Sequence, residues 1–90
     1  MEAKEIAALA QAQVATIAPQ MYCGPVGAAA AAQVATSSPN FLIQEFNTPP
    51  LHADLLVEPL LIEDGFILPP TWPGLGVELN EKVVRRHLVT

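Results

Sequence analysis

The first third of the chain alternates between a helix-like and a strand-like apolar pattern. Residues 2–13 predict a helix, because alanine is the best helix former and Ile6 and Leu9 fall on one face. Residues 14–18 (VATIA) predict a short buried strand that stops at Pro19. The pattern therefore places a helix directly before a strand.

A second helix and strand follow in the same order. Residues 24–36 (GPVGAAAAAQVAT) predict a helix in which Pro25 takes the first position, where its missing N–H costs nothing. Residues 41–44 (FLIQ) predict a second buried strand. This order is typical of a parallel α/β protein. Two parallel strands do not form a stable sheet alone, because both faces and both edges need covering.

Residues 47–90 carry a different pattern, which indicates a wrapping tail rather than a compact core. Of the nine prolines, all but Pro19 and Pro25 lie from residue 39 onward. The tail predicts a short helical turn at 51–56, a β-hairpin at 60–68 around Glu63-Asp64-Gly65, an extended stretch at 74–79, and a short helix at 81–88 with Asn80 as its N-cap.

Composition and charge narrow the range of partners. Hydrophobic residues make up 51% and charged residues only 14%, against about a quarter in a typical soluble domain, which suits an interior piece of something larger. The net charge of −5 argues against nucleic-acid binding and against an anionic membrane surface. We therefore expect no nucleic acid and no membrane among the partners.

Three further features favour a cytoplasmic protein. The single cysteine, Cys23, permits no intrachain disulfide, which fits a reducing compartment. The start, MEAKEIAALAQ, lacks the basic and apolar regions of a signal peptide. The longest apolar run, from Val26 to Ala32, is too short to cross a bilayer.

Five segments carry a family resemblance. In chain order they are EAKEIAALAQA, IAPQ, GPVGAAAAAQVA, SPNFLIQEF and EDGFILPPTWPGLGVELNE. Their order and spacing resemble the C-terminal end of the enolase superfamily, in its mandelate racemase and muconate lactonizing enzyme branch. The likeness is greatest to sugar-acid dehydratases such as galactonate dehydratase. It covers nearly the whole chain, but only about the last quarter of a family member.

The resemblance implies an α/β fold that is part of a (β/α)8 barrel. Residues 1–46 would be the end of the barrel, with strand seven at 14–18 and strand eight at 41–44. Residues 47–90 would form the tail, with its hairpin, that packs on the barrel and on a capping domain. Active sites of such barrels lie at the C-terminal ends of the strands. The chain would thus need the rest of the barrel or another subunit.

The resemblance also implies two site residues at these strand ends. Glu45 matches a glutamate that lies beside the substrate carboxylate and stabilises the enediolate through a short hydrogen bond. The competing interpretation is a solvated carboxylate. Gln20 stands where the family usually has the histidine of Ala-Pro-His, a general acid or base.

The amide of Gln20 cannot take a proton near pH 7, which leaves three explanations open. Proton transfer could come from a lysine on the second strand. The chain could be a catalytically altered member. A single base change could separate it from an active relative.

Weaker candidates surround these two positions. Tyr22 follows strand seven, and His52 lies in a segment after strand eight that would approach the barrel mouth; both are candidates for substrate binding, with packing as the alternative. Cys23 is expected to be a buried or incidental thiol. No metal ligand is assigned, because the family's Mg²⁺ carboxylates come from strands three, four and five. Glu63 and Asp64 are expected to face solvent in the hairpin turn.

The implied reaction is Mg²⁺-assisted removal of a proton next to a carboxylate, followed by loss of water from a sugar acid. Racemases and cycloisomerases share this chemistry, so the substrate and the outcome stay open. We expect the 90 residues alone to be inactive. A second hypothesis is a non-catalytic piece that completes the barrel of another chain. A third, small stand-alone domain with chance similarity is disfavoured by the joint presence of SPNFLIQE and PGLGVELNE.

Overall fold

The computed structural model describes residues 1–47 and 49–89 and has an α/β fold with one two-stranded antiparallel sheet. In chain order its elements are α1 (Glu2–Ala12), α2 (Pro25–Thr36), α3 (Pro50–Asp54), β1 (Leu61–Glu63), β2 (Phe66–Leu68) and α4 (Glu81–Arg86). None of the helices in these ranges is long and apolar enough to cross a membrane.

Helix α2 lies at the centre of the buried core. It starts at Pro25, after Gly24 as N-cap, as the sequence predicts. Its buried residues are all small or compact, so neighbouring segments approach its backbone closely. The buried apolar residues of the chain are Ala7 of α1, Ala28, Ala29, Ala32 and Ala35 of α2, and Met21, Leu56 and Val83 from elsewhere.

The two predicted barrel strands are present only as a short parallel contact. A single parallel bridge joins Ile17 to Phe41. The Ile17 N–H donates to the carbonyl of Asn40 at 2.9 Å, and the Leu42 N–H donates to the carbonyl of Ile17 at 2.9 Å. We call residues 15–19 the first segment and residues 40–45 the second segment. Their parallel direction agrees with the predicted order. The prediction of regular strands at 14–18 and 41–44 was wrong, because only the bridge between Ile17 and Phe41 is formed.

The start of the first strand was also predicted wrongly. Val14 lies in a turn with a positive φ of 58° rather than in a strand. The N–H groups of Val14 and Ala15 donate back to the carbonyls of Gln11 and Ala10, at 2.9 Å each. These donors close the end of α1 and are therefore unavailable to a sheet.

The predicted hairpin is present with regular pairing. Leu61 faces Leu68, Ile62 faces Ile67 and Glu63 faces Phe66. The two turn residues, Asp64 and Gly65, have φ values of 52° and 80°. Two positive φ values in a two-residue loop are typical of a type I′ turn, which matches the right-handed twist of a hairpin.

The tail contains the predicted elements, but their bounds and contacts differ from the prediction; the helical turn predicted at 51–56 is α3, Pro50–Asp54. Helix α4 ends at Arg86 rather than at residue 88, with His87 as its C-cap. The Nδ1 of His87 lies 2.9 Å from the carbonyl of Val83. Asn80 occupies the N-cap position of α4 but makes no side-chain capping bond. The predicted extended stretch is paired only at Leu79, which bridges Leu56.

A side chain of α2 holds the tail in place. The Nε2 of Gln33 donates to the carbonyls of Pro70 and Leu75, at 3.1 and 3.3 Å. Gly76 adopts a positive φ of 80°, and a Cβ there would lie only 2.7 Å from the Cβ of Pro70. The tail is thus folded tightly on itself where it meets α2.

Candidate active site

Glu45 is held at the point where the second segment ends. Its Oε2 accepts a hydrogen bond from the backbone N–H of Met21 at 2.8 Å. Its own N–H donates to the carbonyl of Pro19 at 3.1 Å. The two contacts are made with Pro19, the last residue of the first segment, and with Met21 just after it. Gln20 lies between these two residues. The side chain of Glu45 nevertheless remains exposed, so a ligand has access to it.

The register of the two segments explains this placement. In the regular register that the bridge between Ile17 and Phe41 sets, Met21 would lie opposite Glu45. A regular parallel ladder would bring the N–H of Gln44 to Pro19. The N–H of Glu45 takes that place instead, a slip of one residue. Pro19 has no N–H with which to continue the ladder.

Gln20 lies at the same end as Glu45 and is exposed. Its side chain makes no hydrogen bond within the described part of the chain, so the amide is free to bind a ligand. The amide has two donors and one acceptor oxygen, but it cannot exchange a proton near neutral pH. Its chemical capacity at this position is therefore limited to orientation by hydrogen bonding.

The two weaker candidates, Tyr22 and His52, do not line the same cavity. Tyr22 is 83% exposed. His52 is half-buried and lines a small cavity of about 50 Å³, whose other walls include Phe46 and Asn47 at the end of the second segment. Neither Glu45 nor Gln20 lines that cavity. The substrate-binding roles of Tyr22 and His52 thus stay predictions.

Two residues that follow Gln20 differ in exposure. Met21 is 1% exposed and packs in the core. Cys23 is exposed rather than buried. Its Sγ lies 3.8 Å from the Sδ of Met21 and directly above Gly27 in the first turn of α2.

The described residues do not form a Mg²⁺ site by themselves. Within residues 1–47 and 49–89, no group of three or more His, Cys, Asp or Glu side chains is close enough to hold a metal ion. Glu63 and Asp64 are exposed at the hairpin turn, as predicted. Magnesium needs several converging oxygen ligands, which this part of the molecule does not offer.

An apolar groove runs along the free side of the second segment. Its volume is about 590 Å³, and it lies between this segment, α2 and the hairpin. Leu42 and Ile43 are 65% and 63% exposed there. The Nε2 of Gln44, which also lines the groove, is buried without a hydrogen-bond acceptor among the described residues. This side of the segment has the character of an uncovered interface.

Comparison with known proteins identifies relatives along almost the whole chain. Residues 1–83 match the family described as enolase C-terminal domain-like. D-xylonate dehydratase from Haloferax volcanii is 37% identical over 90 residues, covering 98% of this chain and 22% of the relative. D-galactonate dehydratase from Verminephrobacter eiseniae is 37% identical over 91 residues, covering 92% of this chain and 24% of the relative.

A solved structure from Burkholderia SAR-1 shares the fold of this chain. It is described as a mandelate racemase/muconate lactonizing enzyme, superposes with a TM-score of 0.94 and is 52% identical, covering 98% of this chain and 22% of that one. The chain thus spans less than a quarter of the length of each of these relatives. It belongs to the enolase superfamily, as a segment of the enolase C-terminal domain-like family of the mandelate racemase and muconate lactonizing enzyme type.

Proposed function

We propose that the chain is the C-terminal part of a Mg²⁺-dependent enolase-superfamily enzyme that dehydrates a sugar acid. The observation that carries this proposal is the Glu45 carboxylate, fixed by the Met21 amide beside Gln20 at the shared end of two parallel segments. The sugar-acid class is favoured by the two dehydratases among the relatives. Loss of the proton next to the carboxylate would give an enediolate, and expulsion of a hydroxide from the neighbouring carbon would complete the dehydration.

Glu45 would stabilise the charge that develops on the substrate carboxylate. A preorganised hydrogen-bonding group beside a developing charge is one of the largest contributions to catalysis. The Oε2 of Glu45 is engaged by Met21, which leaves Oε1 to meet the substrate through a shared proton. Gln20 would orient the substrate by donating or accepting a hydrogen bond. The proton acceptor would then lie outside the described residues.

The rest of the barrel, in the same or another polypeptide, is the partner that this role requires. Enolase-superfamily sites use a lysine or histidine base with one or two Mg²⁺ ions. Since the described residues do not fit a Mg²⁺ site, we propose that the metal ligands lie on other strands of the barrel. We propose a partly built (β/α)8 barrel for residues 1–46 and a packing role for residues 47–90. The cytoplasm is the proposed compartment, because a single cysteine suits a reducing one.

A galactonate dehydratase chimera tests the proposal. In it, residues 1–90 replace the matching segment of D-galactonate dehydratase from Verminephrobacter eiseniae, which aligns over 91 residues. We expect the chimera to dehydrate a member of a sugar-acid panel, with formation of a 2-keto-3-deoxy acid as the readout. Glu45→Gln should lower kcat by about 10²-fold or more. Glu63→Gln, which changes an exposed hairpin carboxylate, is the matched control. Full kcat in the Glu45→Gln chimera would refute the assigned role.

The isolated chain gives a second prediction. With Mg²⁺ added, the 90-residue protein should dehydrate none of the acids in the panel, because the described residues supply no cluster of ligands that could hold the metal at the site. Product formation above the rate of a Glu45→Gln control would contradict this expectation.

A second candidate function is barrel completion without catalysis. The uncovered groove beside Leu42 and Ile43, with the unpartnered Nε2 of Gln44, favours binding of another strand. Coexpression with a galactonate dehydratase that lacks its matching segment separates the two functions. Stable copurification with restored turnover supports the enzyme, whereas copurification without turnover supports the assembly role.

A further inference from the structure

Met21 combines a buried side chain with a functional backbone group. It is 1% exposed and is the largest fully buried side chain in the described chain. Its neighbours on both sides, Gln20 and Tyr22, are exposed. A loop with exposed residues is usually mobile, but the buried side chain of Met21 anchors this loop at a single point. That point carries the N–H that binds Glu45.

Contacts on two sides fix the position of this N–H. On one side, the carbonyl of Pro19 accepts the N–H of Glu45 at 3.1 Å, which holds the backbone of the two segments together. On the other side, the Sγ of Cys23 touches the Sδ of Met21 at 3.8 Å and occupies the space that the absent side chain of Gly27 leaves above α2. The Met21 N–H is therefore set by the helix and by the second segment together.

We infer that Met21 is a positioning residue for Glu45, acting through its backbone N–H, which directs one carboxylate oxygen inward and the other toward the substrate. The inference rests on the proposed function of Glu45. An exposed glutamate samples many rotamers, so ordering it during the reaction costs conformational entropy. A hydrogen bond that fixes one rotamer in advance removes this entropy cost from the reaction. The fixed amide does this without adding a charge to the site. No other described backbone or side-chain donor bonds this carboxylate.

The geometry can be tested in the chain itself, apart from any activity. In protein labelled with ¹⁵N and ¹³C, we expect a coupling through the hydrogen bond between the Met21 nitrogen and the Glu45 Cδ. We also expect the Met21 amide to exchange its hydrogen about tenfold faster or more in Glu45→Ala than in wild type, because a bond to a charged acceptor is lost. Glu63→Ala is the control and should leave this exchange rate unchanged. Equal Met21 exchange rates in wild type and Glu45→Ala would overturn the inference.

The positioning role is tested in the galactonate dehydratase chimera. Met21→Ala keeps the N–H but removes the buried anchor, whereas Met21→Leu keeps an apolar anchor of similar volume. We expect Met21→Ala to lower kcat by up to about 100-fold with a smaller change in KM, and Met21→Leu to restore most of the loss. If Met21→Ala lowers only the Tm and leaves kcat unchanged, the residue is structural and the inference fails.

The two tests separate this inference from the proposed function. If Glu45→Gln leaves the chimera fully active while the Met21 exchange rate still depends on Glu45, the proposed function fails and the geometry stands. If Glu45→Gln inactivates the chimera while Met21→Ala has no effect on kcat, Glu45 is functional and Met21 does not position it.

Discussion

Asn40 ties three parts of the chain together, and its replacement by aspartate should be unusually costly. Its Nδ2 donates to the carbonyl of Ala7 in α1 at 3.0 Å and to that of Ala15 in the first segment at 3.1 Å. Its own carbonyl accepts the N–H of Ile17 at 2.9 Å. The residue thus helps to fix the pairing of the two segments, at whose far end Glu45 bonds to the N–H of Met21.

The size of the effect follows from the two hydrogen bonds. Asn40→Ala removes both, at about 1 kcal/mol each, but it also removes the Oδ1, which is buried without a partner. The expected net loss in the free energy of unfolding is about 1 kcal/mol. Asn40→Asp keeps the buried Oδ1 and replaces the Nδ2 donor with a second oxygen, which then faces the carbonyl oxygens of Ala7 and Ala15. Its expected loss is about 3 kcal/mol, because an unpaired buried carboxylate adds to the two lost bonds.

Urea unfolding of the chain, followed by circular dichroism, measures both variants. Asn80→Asp is the matched control, because Asn80 is the N-cap of α4 and makes no side-chain bond there; a carboxylate at a helix start is neutral or favourable. Burial should raise the pKa of the carboxyl group introduced at position 40, so the gap between Asn40→Asp and Asn40→Ala should narrow as the pH falls below the ordinary carboxyl range. Equal stability of the two variants at neutral pH would refute the assigned hydrogen-bond directions.

Two further predictions concern glycines. In urea unfolding, Gly76→Ala should lower the free energy of unfolding by about 2 kcal/mol more than Gly74→Ala does. Both glycines have a positive φ, but a Cβ would collide with Pro70 only at Gly76. Equal losses in the two variants would contradict the tight fold of the tail. Gly27→Ala should stabilise the protein by up to about 1 kcal/mol in a Cys23→Ala background. The gain should be smaller in wild type, because the Sγ of Cys23 must move to make room for the new Cβ. The same gain in both backgrounds would show that this sulfur does not contact Gly27.

The elements that local chemistry determines were predicted correctly. Alanine content and the position of Pro25 specify α2, and the Asp64-Gly65 pair specifies the hairpin turn, since each depends on residues close in sequence. The parallel strands depend on pairing between segments that are distant in sequence, which the local pattern does not specify. Their predicted lengths were therefore too great, and the chain keeps only the bridge between Ile17 and Phe41.

The candidate site also has one feature that the sequence predicts and one that it does not. That Gln20 and Glu45 lie at one end follows from the order of the elements and from the family resemblance. The bond between Glu45 and Met21 could not be predicted, because it depends on a slip of one residue in the register beside Pro19. A proline near the end of a strand is a signal that the ladder stops there, but it does not indicate which donor is left for the following side chain.

The distribution of large apolar side chains links this local geometry to the proposed barrel. The core is built mainly from alanines, whereas Leu9, Leu42 and Phe66 are 71%, 65% and 71% exposed. A domain that is stable by itself buries its largest apolar residues first. Because the second segment is paired on one side only within residues 1–47 and 49–89, the register that holds Glu45 depends here on few contacts. Pairing of its free side with another strand would fix that register from both sides, so assembly of the barrel and positioning of Glu45 would be the same event.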